Sequence, residues 1–278
     1  HPDFTEDVIS VNDVTDQKEQ TRVTQHLDRI RKLANISAKA KVVTKNNFPT
    51  GTGLSSSASG FAALTVAGAK AAGLSLSERE LSILSRQGSG SACRSISDGF
   101  VEWLDGDTSE TSYAVSLYPP DYWDIVDVVA IVDPHKKDIP TTEGQKFHTS
   151  SPFFPIRISR MKEKIARCKQ YLAEKNFTLL GELVEAEALE MHAIMLTSRP
   201  SLIYWTTGTL TLMKLVKKWR LEGLPVYFTI NTGQNIHLLC EAKAVDSLKE
   251  KLKGVTVIQS VIINNPSVGT RLVETHLF

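Results

Sequence analysis

The 278-residue chain is 41% hydrophobic and 23% charged, which suits a soluble globular protein of one large domain or two of about 140 residues. Its 32 Lys and Arg nearly balance 31 Asp and Glu, leaving a net charge of +1. That balance excludes a broad basic surface for nucleic acid or anionic membrane, though not a local phosphate site, and no apolar run approaches the ~18 residues that span a bilayer.

Residues 5–12 (TEDVISVN) alternate as a strand does. Asp16 to Leu33 sets Val23, Leu27, Ile30 and Leu33 at helical spacing, predicting an amphipathic helix with a charged outer face. Residues 38–45 (AKAKVVTK) read as a second strand, which feeds into NNFPTGTGLSSSASG. An Ala-rich buried helix follows, starting around Ser56 to Ser59 and stopped by Gly73. Ser77 to Arg86 is a shorter helix with Glu80 three residues after Ser77, the pattern of a capping box. Residues 88–95 spell GSGSACRS, and residues 100–104 and 125–132 read as strands, the second apolar enough to be interior.

Residues 133–152 form a polar, Pro-interrupted stretch, the natural candidate for an active-site loop or domain junction. Helices are predicted over 158–172, 179–195 and 205–222, the last ending at Gly223. Strands over 225–230 and 236–240 flank a turn at 231–235, and a helix (244–253) and a strand (255–263) complete the pattern. The second half therefore alternates strands and helices as an α+β layer would. Cys93, Cys168 and Cys240 are far apart with no CxxC pair, which points away from disulfides or thiolate zinc and towards a reducing cytoplasm.

The chemistry concentrates in PTGTGLSSSASG. Gly51 and Gly53 permit a tight turn whose N–H groups converge on an anion, and the following helix aims its positive end at the same point. Ser55, Ser56 and Ser57 add hydroxyls for phosphate oxygens or magnesium-bound water. A Walker A sequence is absent, so this is a different phosphate loop. The plainer reading is a Ser-capped helix after a Gly turn. A second Gly/Ser cluster argues against it, because GSGSACRS ends in Arg94, whose guanidinium suits a carboxylate or phosphate.

The strings NNFPTGTGLSSSASGFAAL and GSGSACRSISDGFVEW closely resemble the mevalonate diphosphate decarboxylase and phosphomevalonate decarboxylase family, within the galactokinase–homoserine kinase–mevalonate kinase superfamily. KKDIPTTEG, EALEMHA and PVYFTINTGQN match the same family in the same order, so the resemblance covers essentially the whole chain. It implies a two-domain α+β fold: a ribosomal-S5-like α/β domain over residues 1–148 and a ferredoxin-like domain over 149–278. It also implies ATP with Mg2+, a phosphorylated mevalonate substrate, a cytoplasmic homodimer, and phosphorylation of a tertiary hydroxyl followed by loss of phosphate and CO2. Carried over by position, Gly51, Gly53 and Ser55 to Ser57 face the ATP phosphates. Ser89, Ser91 and Arg94 hold the substrate, with Arg94 on the departing carboxylate. Thr141, Thr142 and Gly144 reach the distal phosphate, and no side chain is assigned to a metal.

Two departures stand out. The family's N-terminal strand and IKYWGK-like segment do not occur here, and the chain opens with His1, so the N-terminal domain is expected to lack its first strands, whether by truncation or in the gene itself. The family's catalytic Asp, in FDAGPN, is replaced by Asn231 in residues 230–235 (INTGQN). An amide accepts no proton at physiological pH, so activity is expected to be impaired; the alternative is that Asn231 is only a turn residue. The substitution is natural or engineered, or another carboxylate serves. The string RLVETHLF is similar to archaeal-type members, some acting on the monophosphate. Two rivals stand beside the decarboxylase: a 3-kinase that stops after phosphorylation, and a silent protein that binds nucleotide or isoprenoid precursor. Among lesser candidates, His192, Asp98, Glu102, Cys93 and the tryptophans at 103, 123, 205 and 219 read as structural; Lys136 and Lys137 read as a solvated pair or, beside the loop, as cations that steer an anionic substrate.

Overall fold

The computed structural model describes residues 3–12 and 16–277; His1 and Phe278, the last residue of the RLVETHLF string, lie outside them. The chain forms two compact units, one from residues 1–50, 55–122 and 267–278, the other from 51–54 and 123–266. The family resemblance implies a boundary at 148/149, within the polar stretch. The strand at 125–131 instead pairs inside the second unit, so the chain crosses over at Tyr122 and Trp123.

In the first unit, β1 (Val8–Val11) and β2 (Lys41–Thr44) pair in parallel, joined through α1 (Gln17–Ala34). Asp16 caps α1 by accepting from the Lys18 and Glu19 amides at 2.9 and 3.1 Å, and Asn35 ends it with a left-handed φ of 53°. Ile9, Val23 and Leu27 fuse strand and helix into one apolar cluster. The Ala-rich α2 (Ser56–Ala71) lies close to α1: a Cβ at Gly68 would sit 2.8 Å from Ile30 Cδ1. α3 (Glu78–Gly88) carries the expected Ser77/Glu80 capping box and runs into a 3-10 turn, Gly90–Ser95. β3 (Phe100–Trp103) then pairs antiparallel with β4 (Ala114–Tyr118), a strand the sequence reading passes over.

The second unit is built on an antiparallel sheet, ordered β6 (Tyr227–Thr229), β7 (Ile236–Glu241), β5 (Ile125–Ile131) and β8 (Ser260–Asn264). One face of β5, carrying Val126, Val128 and Ala130, packs with Leu238 and Phe228 against Leu212, Val216 and Trp219 of α7 (Thr207–Leu221) and Leu248 and Leu252 of α8 (Val245–Lys253). The polar stretch contains the one-turn helix α4 (Thr141–Gly144), and α5 (Phe154–Ala173) and α6 (Phe177–Thr197) follow. α5 rides on α6 through ion pairs of Arg157 and Lys164 with Glu187 and of Lys164 with Glu190, and buries none of its own residues fully. Arg220 makes a fork to both oxygens of Glu185 at 2.9 and 3.1 Å, tying α7 to α6. Among the described residues no helix is long and apolar enough to cross a membrane.

His26 in α1 shows how tightly the first unit is packed. It is fully buried, and its Nε2 lies 2.8 Å from Thr65 Oγ1. The Thr65 hydroxyl gives its one proton to Phe61 O at 2.6 Å, so Nε2–H donates and the buried Nδ1 is left without a partner. Burial, reinforced by Arg29, lowers the imidazole pKa to about 4. Above pH 6.5 both folded and unfolded chains hold this ring neutral. As pH falls from 6.5 to 4, the unfolded chain takes up a proton the folded chain refuses, and stability is lost. We expect a loss on the order of 1–3 kcal/mol from this ring across that window. Urea unfolding at pH 7 and 4.5 measures it, with His26→Gln expected to give a visibly shallower pH dependence than the parent.

Candidate functional site

The residues expected to form a phosphate loop divide between the units: Gly51 to Leu54 pack within the second, and Ser55 onward belongs to the first. Each cluster is described within its own unit.

In the first unit, Ser55 precedes α2 with φ 60°, a left-handed conformation unusual for a residue with a side chain. Its hydroxyl makes no capping bond, and the first turn of α2 carries no acidic residue. The helix therefore opens with N–H groups and the Ser55 hydroxyl uncommitted to a carboxylate, as an anion site requires. Ser57 Oγ lies 3.2 Å from Ser89 Oγ, which joins the two Gly/Ser clusters that the sequence singles out. Ser89 caps both α3 and the 3-10 turn, while Ser91 is half-buried within the turn. Cys93 is buried with its thiol donating to Gly90 O at 3.1 Å, and burial pushes its pKa up, so it is an inert packing group.

Arg94 is exposed, with its guanidinium over the Trp103 ring. The backbone just beyond it is held by residues 267–271. Thr270 donates from both N and Oγ1 to Ser95 O at 2.9 and 2.7 Å, and Ser267 O accepts from Gly99 N at 2.9 Å. Asp98 accepts from Gly269 N at 2.7 Å and pairs with Arg271. The Gly269 amide and the Arg271 guanidinium hold the Asp98 carboxyl below the usual carboxylate range. Asp98 is thus a structural carboxylate, as its sequence context implies.

In the second unit, Gly51 and Gly53 adopt φ of 74° and 94°. Gly53 meets Gly233 backbone to backbone: a Cβ on Gly53 would lie 2.9 Å from Gly233 Cα, and one on Gly233 only 2.6 Å from Gly53 Cα. Neither position has room for a side chain. Asn235 pins this contact. Its Oδ1 accepts from Val132 N and Asp133 N at 2.9 and 3.1 Å, and its Nδ2 donates to Thr52 O and Asp133 O at 3.2 and 3.0 Å. Gln234 adds bonds to the Asp133 and His135 carbonyls at 3.2 and 2.7 Å. The turn at 231–235 and residues 51–54 are therefore tied together through backbone contact and hydrogen bonds.

Asn231 stands on that turn with an exposed side chain that has no bonding partner among the described residues. Its carbonyl accepts from Gly233 N at 2.9 Å and from His192 Nε2 at 3.0 Å. His192 is buried against Trp205, ring centroids 4.6 Å apart, and burial lowers its pKa to about 4, so it is a neutral donor. Lys137 departs from the reading as a solvated cation. Its Nζ is drawn in, donating to Thr141 Oγ1 at 2.6 Å and to Thr232 through both Oγ1, at 3.2 Å, and the carbonyl. Burial lowers its pKa to about 8. No carboxylate neutralises it among these contacts, so its charge is available to an anion. Thr141 also meets Thr232, hydroxyl oxygens 2.6 Å apart; Thr142 is exposed, and Gly144 is buried where a Cβ would meet Tyr204 Oη at 2.8 Å.

Gly233→Ala is expected to destabilise the second unit by about 1–3 kcal/mol, because its Cβ meets backbone rather than a movable side chain. Chemical denaturation against the parent checks this; an unchanged midpoint would mean the two loops do not touch.

Residues 1–114 match the family described as the diphosphomevalonate decarboxylase-like N-terminal domain, and residues 127–270 match the mevalonate 5-diphosphate decarboxylase C-terminal domain. A diphosphomevalonate decarboxylase of Candida albicans is 36% identical over 71% of this chain and 56% of its own length. A phosphomevalonate decarboxylase of Haloferax volcanii is 30% identical over 90% of this chain and 76% of its own. The matched stretch thus spans little more than half of the Candida relative. The solved structure of mevalonate diphosphate decarboxylase from Staphylococcus aureus superposes with TM-score 0.93 at 33% identity, covering 99% of this chain and 84% of that one. Another, described as MDDEF in complex with MVAPP, AMPPCP and magnesium, superposes with TM-score 0.92 at 34% identity, covering 99% and 85%. The chain belongs to the mevalonate diphosphate decarboxylase family, with that family's two-domain α+β fold.

Proposed function

We propose that the protein performs, or descends from one that performs, the ATP-dependent decarboxylation of a phosphorylated mevalonate. The observation that carries this reading is the Gly53–Gly233 contact: it sets the glycine turn of a phosphate loop against the turn that bears residue 231. ATP supplies the phosphoryl group for the tertiary hydroxyl. The carbon–carbon bond to the carboxylate then breaks, its electron pair forms the alkene, and the carbon–oxygen bond to phosphate breaks, so that CO2 and phosphate leave. Cytoplasmic location and a homodimer belong to the same proposal.

Within it, Gly51, Gly53 and Ser55 to Ser57 take the ATP phosphates. Lys137, with Thr141 and Thr142, offers charge and hydroxyls to a phosphate, and Arg94 with Ser89 and Ser91 takes the substrate carboxylate. Gly144 serves through packing, since it is buried beneath Tyr204 and Leu202. Phosphoryl transfer depends on positioning and charge more than on covalent chemistry, which suits this set of hydroxyls, N–H groups and cations. Among the described residues no three His, Cys, Asp or Glu cluster to hold a metal. Mg2+ keeps much of its water and leans on substrate phosphates, so the hydroxyl-rich loop fits an ion that arrives with ATP.

Asn231 favours a second reading, a protein that binds nucleotide and substrate with little turnover. Its amide cannot take the hydroxyl proton that a carboxylate would. The experiment is coupled ADP and CO2 release from mevalonate 5-diphosphate and mevalonate 5-phosphate, which also distinguishes the two substrates. Asn231→Asp is expected to raise turnover by roughly 10² to 10⁴ over the parent. If neither form releases CO2 while both bind ATP, the binding-protein reading replaces the enzyme.

A further inference from the structure

Trp103 ends β3 with 37% of its surface exposed, an odd place for the largest side chain of a small two-stranded sheet. Its ring is nevertheless fixed. Nε1 donates to Ser112 Oγ at 2.9 Å, and the benzo edge rests on Gly90, where a Cβ would come within 3.3 Å of Cη2. Over its face stands Arg94, with Cζ 5.7 Å from the ring centroid. Trp103 therefore contacts both the first residue of the Gly90–Ser95 turn and the turn's one cation.

Arg94 is unlike its neighbours. Arg79 donates to Glu110 O at 2.9 Å, and Arg86 donates to Ser112 O and to Ser109 at 2.9 and 2.8 Å. Arg271 is forked onto Asp98 at 2.5 and 2.7 Å. Among the described residues Arg94 has no such acceptor, and its contact is the aromatic face alone. A carboxylate partner would neutralise the guanidinium and compete with any ligand carboxylate. An aromatic face attracts the cation while using none of its N–H donors.

We propose that Trp103 is the positioning residue for Arg94, holding the guanidinium over the Gly90–Ser95 turn with every donor free for the carboxylate of the ligand. The ligand class rests on the function proposed above; the pairing itself does not. Gly90 is part of the arrangement, because a Cβ there would meet the ring at 3.3 Å, a tight contact that the ring must yield to.

Two measurements test it. In the first, the Arg94 Nε–Hε signal is assigned by NMR in the parent and in Trp103→Ala. A ring-current shift in the parent that vanishes in the variant, while the surrounding amide spectrum is kept, is expected. An Arg94 signal indifferent to the substitution overturns the pairing, whatever the protein binds. In the second, calorimetry compares mevalonate 5-diphosphate with isopentenyl diphosphate, which lacks the carboxylate. Trp103→Ala is expected to weaken the first roughly 2- to 5-fold, the second not at all, and Trp103→Phe to retain most of the affinity. In an Arg94→Ala background, Trp103→Ala is expected to add nothing. Equal losses for both ligands, or additive losses in the double variant, would show Trp103 to be merely structural. If the parent binds neither ligand, the functional reading falls and the NMR measurement still decides the pairing.

Discussion

The second unit depends on two backbones touching. Gly53 and Gly233 approach so closely that neither tolerates a Cβ, and Asn235 locks the contact with four hydrogen bonds to main-chain groups. Because Asn235 satisfies Val132 N and Asp133 N at the end of β5 and reaches Thr52 O, one side chain sets both the strand end and the loop. The residue at 231, the cation at 137 and the glycines at 51 and 53 take their places from this clasp. An enzyme that works by positioning needs such a rigid centre, since displacements of about an ångström cost large factors in rate.

The first unit solves a different problem: keeping a cation free. Arg94 is placed by its backbone, which residues 267–271 hold through Ser95, Asp98 and Gly99, and by an aromatic face beneath its charge. The carboxylate nearest in sequence, Asp98, is occupied by Arg271 and the Gly269 amide. In the second unit Lys137 is likewise held by hydroxyls and a carbonyl, and burial lowers its pKa to about 8. Both cations are supported by groups that leave their charge uncompensated, which is what an anionic ligand requires.

Much of this was legible in the sequence where the physics is local. Helical periodicity located α1, α6 and α7 within a few residues, and the Ser77/Glu80 capping box formed as its spacing requires. The tight turn at Gly51 and Gly53 was legible because the need for positive φ is a property of single residues. β4 escaped notice because its five residues, AVSLY, follow a polar run and carry no strong alternation. β8 begins at Ser260 rather than Val255 because pairing with β5 sets its register, not its own pattern. The least legible residues are those whose partners lie far along the chain. Lys137 meets Thr232 across 95 positions and Asn235 meets Thr52 across 183, and nothing in KKD or GQN taken alone foretells either. Trp103 reads in the sequence only as structural, because the guanidinium over its ring is brought there by the fold.

The reaction proposed for this chain couples phosphoryl transfer to decarboxylation, and the amide at 231 slows the pair without separating them. The direct measurement is single turnover with ATP labelled in its α-phosphate and mevalonate 5-diphosphate labelled in its carboxylate, counting ADP and CO2 over time. Slow formation of the two in equal amounts is expected of that coupling. ADP accumulating without CO2 would contradict it and make the protein a kinase that stops at the phosphorylated alcohol.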